Sequence, residues 1–246
     1  MIRTILCVLF VILYLILSLP IMLVLVLVRQ FRPEAAELAM LRVVQAAFRG
    51  VYLIAGAKLT VIGKERIPKE EAVLYVGNHQ SIFDIVVTYA QVPDRTGFIS
   101  KDSVKKVPIL NLNMLFLNCL FLDRENIRQG LETIKKAIEL VKNGVSVFIY
   151  PEGTRNRSED ETALQEFHSA SFKVAQRADC SIVPVSVNGT AGLLERHFPA
   201  LKASKVVVEF GEPVPYSSLT KEQRKQIGPY FQTIIRDMVI KNQELL

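Results

Sequence analysis

The longest pattern in the chain is apolar. Ile5 to Val28 carries no charged residue and is built almost wholly from Leu, Val, Ile, Phe and Met. Wound as one helix, it would be roughly 36 Å long, enough to cross a bilayer core. Its apolar core is too long for a cleaved signal peptide, and no small-x-small cleavage site follows, so it reads as a retained membrane anchor. Pro20 lies inside the run and is expected to kink or break a helix there. Pro33 opens a second helical pattern. At helical spacing Glu34, Glu37, Arg42, Gln45, Arg49 and Tyr52 gather within about 140° of one another, opposite Leu38, Leu41, Val44, Phe48 and Val51. Beside so apolar a neighbour, this amphipathic helix is expected to lie in a membrane interface. The plain alternative is a helix packed on a domain core. With Arg3 and Arg29 flanking the apolar run, the two segments form a two-helix mount. Insertion into one leaflet is therefore favoured over spanning.

From Lys58 onward the period changes. "LTVIG", "AVLYVG", "GFIS", "CLFLD", "VSVFIY", "SIVPVSV" and "KVVVEF" read as strands, rich in β-branched residues. Helical patterns lie between them. The clearest is Ile127–Lys142, where Leu131, Ile134, Ile138 and Val141 recur, and a last one near Tyr230–Asn242 aligns Phe231, Ile234, Ile235 and Met238. Alternation of this kind predicts an α/β domain with a largely buried sheet. The expected division is residues 1–57 as anchor and amphipathic helix, and 58–246 as one catalytic domain.

Composition sharpens this picture in two places. The chain of 246 residues carries a net charge of +6. Residues 1–64 hold seven basic residues against Glu34 and Glu37, so nearly all of the excess sits beside the anchor. That suits an anionic lipid surface and argues against nucleic acid, which wants its basic surface on the folded domain. The three cysteines (Cys7, Cys119, Cys180) are far apart and form neither a disulfide framework nor a zinc motif, which suggests a reducing compartment.

Two polar clusters interrupt apolar runs where strands should end. In "LYVGNHQSIFDIVV", Asn78 and His79 fall at the C-terminal end of a strand, the edge where open α/β sheets bind ligands. Ser81 and Asp84 have the spacing of a capping box. That alone would explain Asp84. Alternatively, His79 in the turn and Asp84 in the first helical turn can meet, giving an imidazole base and an orienting carboxylate suited to deprotonating an alcohol. The second cluster is "FIYPEGTRN", where Pro151 stops a strand, Gly153 permits a tight turn and Arg155 offers a fork that matches phosphate oxygens. Lys101 and Arg124 follow other strands, and convergence of these three cations at one sheet edge is expected. There is no G-x-S-x-G, Walker A loop, G-x-G-x-x-G or H-E-x-x-H.

Together these residues resemble the glycerolipid acyltransferases. "NHQSIFD" is similar to that family's N-H-x-x-x-x-D signature, "YPEGTRN" to its P-E-G-T-R block, the run from Lys101 to "LFLDR" to the block between them, and "SIVPVSVNG" to its later V-P-V strand. The resemblance covers roughly residues 58–211. It departs at Asn111 and Asn118, where glycines are usual, and at Phe167-His168-Ser169-Ala170, where F-K-x-G is common.

The resemblance implies a mixed, mostly parallel sheet flanked by helices, with His79 as general base and Asp84 as its partner. It implies that Lys101, Glu152, Gly153, Thr154 and Arg155 hold a glycerol phosphate. The implied reaction moves an acyl chain from an acyl thioester, acyl-CoA or acyl carrier protein, to the free hydroxyl of 1-acyl-glycerol 3-phosphate, forming phosphatidate. No metal or further cofactor is expected, since the thioester is already activated. The implied setting is the cell membrane, with the catalytic domain facing the cytoplasm. Another lysophospholipid or glycerol 3-phosphate as acceptor remains open, as do a hydrolase that uses His79 to activate water and an idle lipid-binding protein.

Overall fold

The structure, a computed structural model, describes residues 1–123 and 126–246, with Ile127 by its backbone alone. Arg124 lies outside the described residues. Helices α1 (Ile2–Phe31) and α2 (Pro33–Ala55) lead into strand β1 (Ala57–Ile62), then β2 (Leu74–Gly77), α3 (Ile82–Tyr89), β3 (Thr96–Lys101), α4 (Leu110–Phe116) and β4 (Leu120–Leu122). There follow α5 (Ile127–Lys142), β5 (Ser146–Ile149), α6 (Lys173–Ala178), β6 (Ser181–Asn188), β7 (Ser204–Phe210), β8 (Val214–Pro215), α7 (Lys221–Lys225) and α8 (Ile227–Asn242). The strands form one mixed sheet in the order β1-β7-β6-β2-β5-β3-β4, with β8 paired to β6. Only β6–β7 and β6–β8 are antiparallel. All seven expected strands are present, and the two-residue β8 is an addition too short to leave a pattern.

The central strands are buried on both faces, as near-continuous apolar runs require. Alternation divides the core in two. Tyr75, Phe148, Val183 and Val185 face α2 and α3, while Leu74, Val76, Val147, Ile149 and Ile182 face α5, α6 and α8. On α5, Ala137 and Val141 are buried. On α8 the buried line is Phe231, Ile235 and Val239, with Ile234 only partly covered.

The N-terminal helices depart from expectation twice. The helix is not broken at Pro20, since α1 continues through it to Phe31. It lies antiparallel against α2 along its length: Cys7 Sγ reaches Val51 O, Phe10 covers Gly50, and Arg29 pairs with Glu37 at 2.9 Å. Packing along the whole helix sustains it on both sides of the proline. The second departure concerns α2. Glu37 and Gln45, assigned to its polar face, are buried. Glu37 also meets Arg95 at 3.5 Å, and Gln45 Nε2 donates to the carbonyls of Tyr89 (3.0 Å) and Val92 (2.8 Å). Met40, Leu41 and Val44 sit in the core. One side of the helix is thus packed on the domain, as the plain alternative expects. Both helices are long and apolar enough to cross a membrane, but 39% of the most apolar window of α2 is buried against 6% for α1. Apolar side chains along most of α1 face outward.

Candidate active site

The turn after β2 carries the first cluster. Asn78 continues the ladder with its side chain: Nδ2 donates to Val187 O at 2.9 Å, and Oδ1 accepts from Val187 N at 2.8 Å. This amide locks the end of β2 to β6 and leaves His79 at the C-terminal edge of the sheet. His79 Nδ1 lies 2.8 Å from Asp84 Oδ2. The same oxygen accepts from Gln80 N (2.7 Å) and Ser81 N (2.8 Å), and Thr190 Oγ1 donates to Oδ1. Ser81 Oγ in turn caps Phe83 N at 3.0 Å. Asp84 is therefore both cap and histidine partner, and the two readings coexist.

A carboxylate so surrounded by donors can only accept, which puts the proton of the neutral imidazole on Nδ1 and leaves Nε2 as the acceptor. The ring is held flat by Tyr150, stacked at 4.3 Å between centroids and 15° between planes. Burial pushes the Tyr150 phenol well above its ordinary range, and the Asp84 charge adds to this, so Tyr150 is a neutral platform.

Glu152 ties the second cluster to the first. Its Oε1 accepts from His79 N at 2.7 Å and its Oε2 from Gln165 N at 2.9 Å. Burial pushes its carboxyl up to about 7, opposed by those two main-chain bonds. Gly153 stands at φ +71 with His168 close to the space a Cβ would fill. Together with Thr154 these residues line a cavity of about 530 Å³, whose walls include Ile99, Leu122, Ile134 and Ile149. It opens at the C-terminal ends of β3, β4 and β5, directly beside the Tyr150 ring that carries His79. Such a volume and lining suit a largely apolar ligand with a few polar contacts.

Arg155 faces elsewhere. It lines a second cavity with Gln80, Ile82, Arg157 and Arg196, and its Nη1 pairs with Glu195 Oε1 at 3.0 Å. Glu195 also accepts from Ile82 N (2.9 Å) and Ser81 Oγ (2.5 Å), bracing Arg155 against the start of α3. Lys101 is exposed at the end of β3 and lines neither cavity. The structure thus joins His79, Asp84, Glu152, Gly153 and Thr154 around one corner, with Arg155 on its other flank. Tyr150, Thr190 and Glu195 are further contributors: Thr190 and Glu195 reach the corner from a distant part of the chain, which spacing could not reveal, and Tyr150 reads in the sequence only as the end of a strand. The unusual Asn118 is explained: it stands at φ 58, a left-handed conformation that asparagine tolerates and glycine would adopt freely. Asn111 is an ordinary residue of α4.

A sequence profile described as Acyltransferase matches residues 58–188. The chain is 28% identical over 193 residues to a 1-acyl-sn-glycerol-3-phosphate acyltransferase of Borreliella burgdorferi, covering 78% of this chain and 74% of that protein. It is 30% identical over 188 residues to the Saccharomyces cerevisiae protein of the same description, covering 76% and 60% respectively. The crystal structure of the 1-acyl-sn-glycerophosphate (LPA) acyltransferase PlsC from Thermotoga maritima superposes with a TM-score of 0.76 at 27% identity, covering 98% of this chain and 97% of that one. The match runs from the first strand through both polar clusters to the end of β6, and the chain belongs to the Acyltransferase family.

Proposed function

We propose that the protein transfers an acyl chain from an acyl thioester to the free hydroxyl of 1-acyl-glycerol 3-phosphate, forming phosphatidate at a membrane. The observation that carries this is the contact between His79 and Asp84 beside an apolar cavity. His79 Nε2 takes the hydroxyl proton while the oxygen attacks the thioester carbonyl. Asp84 stabilises the imidazolium that forms. The C–S bond then breaks, and the departing sulfur takes the proton back from His79. Each step balances without a covalent enzyme intermediate, and an activated thioester needs no metal.

For the acceptor, the proposed phosphate ligands are Arg155 and Lys101. The ion pair to Glu195 occupies Nη1 of Arg155, and its other guanidinium nitrogens have no hydrogen-bond partner among the described residues. Gly153 and Thr154 would meet the glycerol, and Glu152 acts through the turn it ties to His79. The matched relatives are described as acting on 1-acyl-sn-glycerol 3-phosphate, which favours that acceptor over other lysolipids or glycerol 3-phosphate. The outward apolar face of α1 supports a membrane site; the proposed setting is the cell membrane, with the catalytic domain facing the cytoplasm.

The test crosses acyl-CoA and acyl carrier protein thioesters with several lysolipid acceptors, using purified protein in mixed micelles. Phosphatidate should appear only when lysophosphatidate is present. Thioester consumption without an acceptor would mark a hydrolase, and no turnover with any pair would mark a binding protein.

A further inference from the structure

Outside the site just described, one surface stands apart in charge. Lys173, Arg177, Arg224 and Lys225 line a groove of about 790 Å³ together with Tyr216, and no acidic side chain lines it. Arg224 is fixed there, stacked 5.0 Å over the Tyr216 ring and donating to Ser217 O at 2.7 Å. None of the four cations forms an ion pair among the described residues. By contrast, Arg66, Arg95, Arg155 and Arg196 each have a carboxylate partner. A concave group of unpaired cations is short of anions.

Its position says which anion. The groove shares Ala170 and Lys173 with the apolar cavity beside Tyr150 and His79, so the two adjoin. It is built on α6, α7 and the start of α8. The core of α6 and α8 lies on the face of the sheet opposite α1 and α2. A ligand reaching it therefore comes from water, away from the outward apolar face of α1.

We propose that this groove receives the nucleotide phosphates of a coenzyme A thioester, the donor in the transfer proposed above, on which this inference rests. Its phosphates meet the four cations, the pantetheine arm passes Ala170 and Lys173, and the acyl chain enters the apolar cavity with its carbonyl beside His79. After transfer the free thiol leaves by the same route, its sulfur carrying the proton that His79 removed. A volume of this size falls within the range of small-ligand pockets, roughly 300–1,000 Å³. A carrier protein would instead spread over on the order of 800 Å² of surface.

The test is the double variant Arg177→Ala/Lys225→Ala of the full chain. With palmitoyl-CoA its donor KM should rise about tenfold through lost phosphate contacts, with kcat at saturation and acceptor KM unchanged. A palmitoyl N-acetylcysteamine thioester, which has no phosphate, should be used equally well by both enzymes. In calorimetry, 3′,5′-ADP should bind the variant about tenfold more weakly than the wild type, a reading that holds even if the acyl-transfer reaction fails. Equal 3′,5′-ADP affinity, or an unmoved palmitoyl-CoA KM, overturns the proposal. So does a KM change seen only with palmitoyl carrier protein, which would make the groove a protein-docking face. Loss of binding to phosphatidylglycerol vesicles with donor KM unmoved would make it a lipid-facing surface, and likewise overturns it.

Discussion

At the scale of single residues, Asp84 concentrates the chemistry. Its carboxylate accepts from two main-chain N–H groups, the Thr190 hydroxyl and His79. An amide cannot serve four donors, so Asp84→Asn should slow turnover by about 10²-fold or more through a mis-set tautomer, in the manner of triad aspartates. A mild effect would mean that Asp84 acts as a cap alone, since Asn caps well. Glu152 yields a pH prediction. Its carboxyl stands at about 7 when folded against 4.5 ordinarily. Between those values the unfolded chain has lost the proton while the folded chain keeps it. This group therefore lowers stability as pH rises from about 4.5 to about 7, by roughly 3 kcal/mol at most, and its effect is constant above that. Urea unfolding at pH 5 and pH 8 should show a smaller fall for Glu152→Gln than for the wild type, and equal falls would remove the raised carboxyl. The pair His79 and Asp84 was legible because a stretch of six residues carries it. Tyr150 and Thr190 were not: one reads as the last residue of a strand, and the other lies 106 positions from the carboxylate it binds.

At the scale of elements, strands were easier to read than helix faces. Runs such as "VSVFIY" and "SIVPVSV" could only be buried strands, because β-branched residues without polar alternation fit a sheet covered on both sides. On α2 the polar positions Glu37 and Gln45 were misread as exposed, because period alone cannot tell an open face from a protein groove. Both face partners on other elements instead of water or head groups. Gln45→Ala should consequently cost about 1–3 kcal/mol, leaving the Tyr89 and Val92 carbonyls unpaired at the end of α3. An effect below about 0.5 kcal/mol, typical of an exposed surface site, would count against these buried contacts. The loop element carrying Arg155 gives a second prediction. Arg155→Lys keeps the charge but loses the fork, so acceptor KM should rise while donor KM holds. An unchanged acceptor KM at fixed donor would count against a phosphate contact.

At the scale of the molecule, the seating of α1 bears on how the protein meets a membrane. Near its start, Thr4 Oγ1 accepts from Leu201 N at 2.9 Å, and near its end Arg29 pairs with Glu37 and lies over the Phe116 ring. Tyr14 and Ser18 bind Asn113 between these points. A helix fastened to the domain at both ends and in the middle favours insertion into one leaflet over spanning. A cysteine at position 2, in a chain with Cys7 replaced, should then be labelled in sealed vesicles from the side that holds the catalytic domain. Labelling from the opposite side alone would mean that α1 spans. The apolar run announced one long helix with an outward apolar face, but no pattern in it foretold these long-range contacts with Leu201 and Asn113. The most direct test of the whole is phosphatidate formation by His79→Ala, measured from a saturating thioester and lysophosphatidate on protein whose circular dichroism and unfolding midpoint match the wild type. Loss of the general base should cut the rate by about 10²–10⁴-fold. Near-normal phosphatidate formation by that folded variant would contradict the mechanism.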